Sequence, residues 1–477
     1  MTPPSNIAGD IAGALAQELD AGAVVGPSAA DFAVYGRDEC DDVRLRRVPE
    51  CVVLARHRAD IEIALRVCAE RGVPLTPRGA GSGKAGGCVP TRGGVVLSTE
   101  RMNRIVELDE DDMLCVCQPG VVTGTIQDAA DGVGLFYPPD PASLAFSSIG
   151  GNAATNAGGP RAFKYGVTRE YVLGLETVLM GGEVLAVGRR AVKGVTGYDL
   201  TAGFVGSEGT LAVISELTLK LIPRPQAVRT ALAIFADVHH AGTAVSALIK
   251  QGFRPRTLEL LDRTCIDHCR GKTAYAFPAS AGAAVLVELD GDEQGLDDAL
   301  EQAGLVCEDH GATDVLVARD EANRRSLWQA RRELSSYLRS DNRFKVSEDI
   351  CVPRGALPEM LRRIDRIAAA TDIAMATFGH AGDGNLHVQF LLDGDPADPA
   401  LGSRVESGLE RLMRETVELR GTLSGEHGIG AAKSRFVHLE QPERTIEWQR
   451  RIKALWDPGG LLNPGKLFPP PPGGCAE

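Results

Sequence analysis

None of the 11 cysteines forms a CxxC pair; only Cys115-Val116-Cys117 and Cys265-x-x-x-Cys269 stand close together. That spacing gives no support to a zinc ribbon or a local iron-sulfur motif, and the odd, scattered count argues against a disulfide framework. The thiols read as reduced core residues. Long apolar runs are missing too: no stretch approaches the roughly 18 residues of a membrane span. The N-terminal MTPPSNIAGDIAGALAQELD lacks a basic segment followed by an apolar one. The expectation is a cytoplasmic protein without a transmembrane segment. Positive charge is in deficit, 51 Lys and Arg against 64 Asp and Glu, for a net charge of -13. This speaks against nucleic acid and anionic membranes as partners of the surface as a whole, while a local basic pocket for an anionic substrate remains compatible with it. Internal repeats are absent.

What is present is an ordinary globular composition, 44% hydrophobic and 24% charged over 477 residues. That length exceeds one hydrophobic core and predicts about two to three domains. An amphipathic pattern covers 10–20. ADIEIALRVCAERG (59–72) is apolar at helical spacing and stops at Gly72, followed by the strand-like VPLTP. Short β-rich pieces follow, VVLST, IVELDED, MLCVCQPGV, YVLGLETVLM and VLAVG, and LAVISELTLKLIPRP ends in Pro223 and Pro225, which mark a domain boundary. Beyond it, ALAIFAD, a helix at about 240–250, TLELLD, AAVLVELDG and a helix near 295–305 follow the order of a ferredoxin-like α+β unit. A charged helix at 320–338, the strand KVSEDICVP and a further helix continue the region. The closing proline run cannot join a core.

Two glycine-rich stretches stand out. RGAGSGKAGG (78–87) leaves backbone N–H groups open to phosphate oxygens. It is not a Walker loop, because Ala85 follows Gly83-Lys84 and Arg78 stands where that motif needs glycine. It is not a dinucleotide fingerprint either, because no long periodic helix follows it. On its own it reads equally as a tight surface loop. A second cluster, SSIGGNAATNAGGPRAFKYG (147–166), lies about seventy residues on, and two such loops suit a long two-part ligand.

In FGHAGDGNLHV (378–388), His380 and His387 flank an Asp-Gly-Asn turn; the glycines rule against a helix and favour strand, turn, strand. Alternation on the two strands can bring both imidazoles to one mouth, as metal ligands or as structural histidines. SGEHGIG (424–430) adds Glu426 and His427. Two imidazoles with a carboxylate suit a divalent ion that keeps an open position, Zn2+ or Mn2+.

PRGAGSGKAGG, PPDPASLAFSSIGGNAATNAGG, FKYG, TGYDLT, GFVGSEGTLAVI, FGHAGDGNLH, SGEHGIG and LLNPGK occur in this order over roughly residues 45 to 468. As a set they resemble the FAD-dependent D-2-hydroxy acid dehydrogenases of the vanillyl-alcohol oxidase flavoprotein superfamily, a group that includes the glycolate oxidase FAD subunit, D-lactate dehydrogenase and D-2-hydroxyglutarate dehydrogenase. The resemblance implies an α+β architecture: an N-terminal helical segment (1–44), a two-subdomain FAD-binding domain of the PCMH type (45–225), a ferredoxin-like α+β substrate and metal-binding domain (226–430), and a helical C-terminal segment (431–477) that returns to the flavin.

Carried over residue by residue, the resemblance places Arg78, Gly79, Ala80, Gly81, Ser82 and Gly83 at the FAD pyrophosphate. It places Pro141, Ser143, Ser148, Gly151, Asn152 and Gly158 along the rest of the cofactor. Glu208, Gly209 and Ile214 complete the adenosine and flavin contacts, and Asn463 and Lys466 approach from the C-terminal end. The first loop has no histidine, so the FAD is expected to be non-covalent. His380, His387 and Glu426 take the roles of metal ligands, with His427 as the base. Arg331 takes that of the carboxylate-gripping arginine, with Ser335 one helical turn on. Arg331 also reads as an ordinary solvated helix charge.

The implied reaction oxidises R-CH(OH)-COO− to the 2-oxo acid. His427 accepts the hydroxyl proton, a metal assists its removal, and flavin N5 takes the hydride. The relatives' substrate lysine sits nearer its proline than Lys345 does to Pro353, and at that nearer place this chain has Ser347 and Glu348. Gln389 stands where the D-2-hydroxyglutarate enzymes have Asn. Both departures favour a small acid, glycolate or D-lactate, over a dicarboxylate. Electrons must then leave for a separate subunit, a flavoprotein carrier, a quinone or oxygen; separate flavin or iron-sulfur subunits are one such acceptor and can hold the chain at the inner membrane. Three alternatives share the loops: D-2-hydroxyglutarate dehydrogenase, an alkyl-transfer flavoenzyme, and a flavin electron-relay subunit, which would need no metal or base.

Overall fold

Helix Arg58–Arg71 ends where the sequence puts glycine: Gly72 adopts φ 65 and its N–H returns to the carbonyls of Cys68 and Ala69. This is the left-handed C-terminal stop expected from ERG. The structure is a computed structural model that describes residues 5–340, 344–395 and 398–469. Most of the closing proline run, from Pro470 on, lies outside the described residues. Among the described residues no helix is long and apolar enough to cross a membrane. The described cysteines are free thiols, most of them buried.

The chain forms two compact units. The first takes the described residues within Met1–Ala157, Val167–Arg224 and Glu426–Glu477; the second takes Gly158–Gly166 and Pro225–Gly425. The first unit holds two small sheets. In one, Cys51–Leu54, Val95–Ser98 and Leu75–Arg78 pair in parallel, with Val24–Val25 added antiparallel at the edge. Cys51–Leu54 and Val95–Ser98 are buried along their length, and Ile61, Leu65 and Cys68 of the Arg58–Arg71 helix close over them. The other sheet is antiparallel, in the order Ile105–Asp109, Leu114–Cys117, Val213–Lys220, Val172–Val178, Val184–Gly188. Its core includes Tyr137, Ile149, Leu175 and Leu217. The C-terminal helix Glu443–Trp456 docks here, with the Trp456 ring edge-on to Phe204 at 5.5 Å.

The second unit is built on one seven-stranded antiparallel sheet. Its order is Ala312–Val317, Ala227–Phe235, Ala283–Gly291, Thr257–Asp262, Ala374–His380, Asn385–Leu392, Phe344–Cys351. The first four, numbered by their place in the chain, lie in the order 4-1-3-2 with helices Val238–Lys250 and Leu296–Asp309 between them, which is the ferredoxin-like arrangement. The last three widen it. Side chains alternate across a strand, so the register assigns faces. Glu259 lies opposite Leu286 and His380, and Phe378 opposite His387. Ser347 pairs with Gln389 and Asp349 with His387. One face therefore carries Glu259, Phe378, His380, His387, Gln389, Asp349, Ser347 and Lys345, and helix Glu321–Ser340 lies over it through Leu327, Trp328, Leu334 and Leu338. On the other face helix Pro399–Glu418 passes close enough that a Cβ on Gly408 would stand 2.7 Å from the Phe390 ring.

Candidate active site

In the first unit, strand Leu75–Arg78 runs straight into the glycine loop. A Cβ on Gly79 would meet Ser148 Oγ at 2.2 Å, and Gly81 takes φ 74. Glycine at these places lets the loop lie against Ser148, whose Oγ accepts from Ala80 N at 3.2 Å. Ser148 opens the short helix Ile149–Thr155. A Cβ on Gly151 would stand 3.1 Å from the same Oγ. The Arg78 guanidinium turns behind the loop: it donates to Arg37 O at 2.6 Å and Cys88 Sγ at 3.3 Å, and lies over the Tyr35 ring. Glu39 N ties the carbonyl of Gly83 at 2.9 Å, next to Ser82. Asn152 donates to Thr123 Oγ1 at 2.6 Å. Pro141 and Ser143 form a turn whose carbonyls accept from Leu144 N and Ser147 N.

The C-terminal return is pinned to these loops by buried charge. Glu208, at φ 52, accepts from Ile429 N and Gly430 N at 2.7 Å each. Burial pushes its carboxyl above the usual range, and those two amides oppose the rise. Asn463 Nδ2 donates to Gly87 O at 2.9 Å and Glu208 O at 2.8 Å. Lys466 Nζ donates to Val89 O at 2.8 Å and Thr91 Oγ1 at 3.0 Å, and its burial brings the ammonium down to about 8. Gly209, at φ 67, lies under Pro77, and Ile214 is buried in the second sheet's core. Gly158 falls in the segment that belongs to the other unit. Thus Gly79, Ala80, Ser148 and Gly151 meet directly, and so do Glu208 and Asn463. The side chains of Arg78, Asn152 and Lys466 are committed to protein partners, so what they do is shape the loops. A side-chain-poor loop pinned at Ala80, with main-chain amides as its donors, fits the diphosphate of FAD.

In the second unit the glycines of FGHAGDGNLHV close the hairpin. Gly384 takes φ 85, and a Cβ there would stand 2.0 Å from Val352 O. His387 sits opposite Phe378, two residues before His380, so the two imidazoles are diagonal neighbours on one face. Their centroids lie 5.3 Å apart, edge to face, and both rings are buried. Glu259 Oε1 lies 2.5 Å from His380 Nδ1, and its Oε2 accepts from Arg331 Nε. The Arg331 guanidinium also lies over the Phe378 ring at 4.9 Å. Burial alone would raise the Glu259 carboxyl, but Arg331 and His380 outweigh it and hold it below its ordinary range. A metal at His380 would meet Nε2, since Nδ1 faces the carboxylate; this outer-shell arrangement fits a ligating histidine.

Lys345 extends the same face. Its ammonium donates to Gln389 Oε1 at 2.9 Å, Ser347 Oγ at 3.1 Å and Ser335 Oγ at 3.4 Å. Arg331 is thus buried and paired, not a solvated helix charge, and Ser335 points at Lys345 one turn further along the helix. Farther along, Asp349 accepts from Asn385 Nδ2 at 2.5 Å and Ser424 Oγ at 2.7 Å. A Cβ on Gly425 would stand 2.3 Å from Asn385 Nδ2, so glycine lets Ser424 and Gly425 lie against the hairpin. Glu426 and His427 follow directly in the chain, counted with the first unit. His427 Nε2 and Glu426 Oε1 are 3.8 Å apart. Sequence reasoning missed Glu259, a lone acid in a strand pattern, and left Lys345 in doubt.

The family model described as FAD linked oxidases, C-terminal domain, matches residues 224–467, and one described as FAD binding domain matches residues 49–188. The glycolate oxidase subunit GlcD of Bacillus subtilis is 40% identical over 441 residues, covering 92% of this chain and 93% of its own. A D-lactate dehydrogenase of Anaerostipes hadrus is 34% identical over 444 residues, covering 92% and 91%. The solved structure of p-cresol methylhydroxylase with substrate bound superposes with a TM-score of 0.77 at 16% identity, covering 97% of each chain, a likeness of fold and of the PCMH-type FAD domain.

Proposed function

The chain belongs to the FAD-linked oxidase family, and on that premise we propose that it oxidises a small D-2-hydroxy acid, glycolate or D-lactate, to the 2-oxo acid. One observation carries this reading: one sheet face of the second unit and the helix over it bring together the imidazoles of His380 and His387 and the cations of Lys345 and Arg331. A hydroxyl next to a carboxylate is the chemistry such a face suits, and the names of the relatives agree with it.

Arg331 grips the substrate carboxylate through its planar fork, with the Ser335 hydroxyl and Lys345 beside it. His427 takes the hydroxyl proton, a task suited to an imidazole that titrates near working pH. His380, His387 and Glu426 would hold a divalent ion, Zn2+ or Mn2+, and such an ion would supply Lewis-acid assistance to removal of the hydroxyl proton. Bound FAD supplies the two-electron acceptor for the C2 hydrogen. Lys345 already has the Gln389 carbonyl and Ser347 as partners, which favours substrates with one carboxylate over those with two. The GlcD relative is named a subunit. By analogy, reoxidation passes to a partner in the cytoplasm or at the inner membrane, with flavin, iron-sulfur or quinone as the next carrier.

Anaerobic mixing with D-lactate or glycolate tests the reading. The flavin bleaches if the chain is a dehydrogenase; a flavin that keeps its oxidised spectrum with every 2-hydroxy acid overturns it and favours alkyl transfer or electron relay.

A further inference from the structure

We propose that Glu259 is a positioning residue that ties the His380 imidazole and the Arg331 guanidinium together, so that one buried carboxylate sets both the cation site and the carboxylate clamp. The inference rests on the roles given above to His380 and Arg331. Glu259 is fully buried in the middle of TLELLD, where the strand pattern calls for an apolar residue. A carboxylate in that place is costly unless each oxygen is paired. Both are: Oε1 faces His380 Nδ1 at 2.5 Å, and Oε2 accepts from Arg331 Nε.

The two contacts have different consequences. An ionised carboxylate only accepts, so His380 must carry its proton on Nδ1 and present the lone pair of Nε2. Arg331 is held at its Nε corner and against the face of Phe378, which fixes the plane in which its two terminal nitrogens can meet a substrate carboxylate. The partners come from different elements, His380 from the neighbouring strand and Arg331 from the covering helix. Glu259 is therefore the joint at which hairpin and helix register.

Glutamine at 259 keeps the shape but has one acceptor and one donor end: with its oxygen on Arg331 Nε it meets His380 Nδ1 as a donor and turns the imidazole to the Nε2–H tautomer, and with its oxygen on His380 it leaves Arg331 Nε without an acceptor. In the FAD-loaded protein, Glu259→Gln should weaken Zn2+ or Mn2+ binding by about ten- to a hundredfold. It should also raise KM for D-lactate about tenfold or more, with Glu259→Asp recovering part of each. Unchanged metal affinity and KM in a folded Glu259→Gln protein, with only the melting temperature lowered, would mean a structural ion pair and overturn the proposal. If the variant does not fold, the wild-type protein decides: [15N]histidine spectra of the chelated, FAD-loaded enzyme should show His380, assigned through His380→Asn, as the Nδ1–H tautomer. The Nε2–H tautomer overturns the proposal. If wild-type protein takes up neither ion, the metal reading fails, and Glu259 is still judged by the tautomer and by KM.

Discussion

Lys345 and Gln389, on neighbouring strands, meet at 2.9 Å, and Ser347 donates to the same Gln389 oxygen at 2.5 Å. The strand register sets this pair: Ser347 lies directly opposite Gln389, and Lys345 is two residues back on the same face. The amide holds the ammonium in place and occupies one of its donors. Truncation by Gln389→Ala should lower kcat/KM for D-lactate about tenfold, the order of one lost charge-assisted hydrogen bond. It should also narrow the preference for D-lactate over D-2-hydroxyglutarate, because the ammonium is released to a second carboxylate. Steady-state kinetics with both acids measure the ratio; an unchanged ratio removes Gln389 from substrate selection.

His427→Ala should cut turnover by about 10² to 10⁴, the usual worth of a positioned base, while the bound flavin keeps its absorption spectrum. FAD content, measured on the same sample, separates a lost base from a lost fold. Substantial activity in the variant would end the assignment.

How much of this could be read in the sequence depended on how local its cause was. The hairpin Ala374–His380 and Asn385–Leu392 was legible, since Gly379 and Gly384 mark its closure and the apolar alternation marks its strands. The ferredoxin-like order followed from the succession of strands and helices. Helix Ile149–Thr155 was not legible: Gly150, Gly151 and Asn152 are poor helix formers. The helix fits because Gly150 packs against Pro119, where a Cβ would stand 2.5 Å away. Nor could Glu259 be found, because its partners lie 72 and 121 residues along the chain and only sheet register brings them in. Lys345 looked misplaced when counted from Pro353. The sheet places it by register with Leu391, which counting cannot see.

Gly79→Ala should weaken FAD binding more than tenfold. Its Cβ would lie 2.2 Å from Ser148 Oγ, so either the loop or the serine must move, and with it the Ala80 contact. Titration of apoprotein with FAD, followed by flavin fluorescence, gives the Kd. Wild-type affinity in the variant would show that the loop does not meet the cofactor.

Asp38 gives a pH signature. Burial pushes its carboxyl up to about 6, against the Cys40 amide and the Arg78 charge, which favour ionisation. The unfolded chain releases that proton near pH 4, so between about 4 and 6 the folded protein holds a proton that the unfolded chain has lost. The contribution to stability is fullest below about 4 and declines as pH rises through about 6, by on the order of 3 kcal/mol. Asp38→Asn keeps an acceptor for Cys40 N and carries no charge. Its denaturation midpoint should match wild type near pH 4 and exceed it at pH 7. A variant less stable than wild type at pH 7 would show that the ionised carboxylate is a net benefit through Arg78.

The central claim, oxidation of a small D-2-hydroxy acid, is tested most directly by dye-coupled kcat/KM across glycolate and the D and L forms of lactate, 2-hydroxybutyrate and 2-hydroxyglutarate. Glycolate or D-lactate should lead, with each L enantiomer and D-2-hydroxyglutarate lower by at least about tenfold. An L-specific profile, or D-2-hydroxyglutarate as the best substrate, would contradict it.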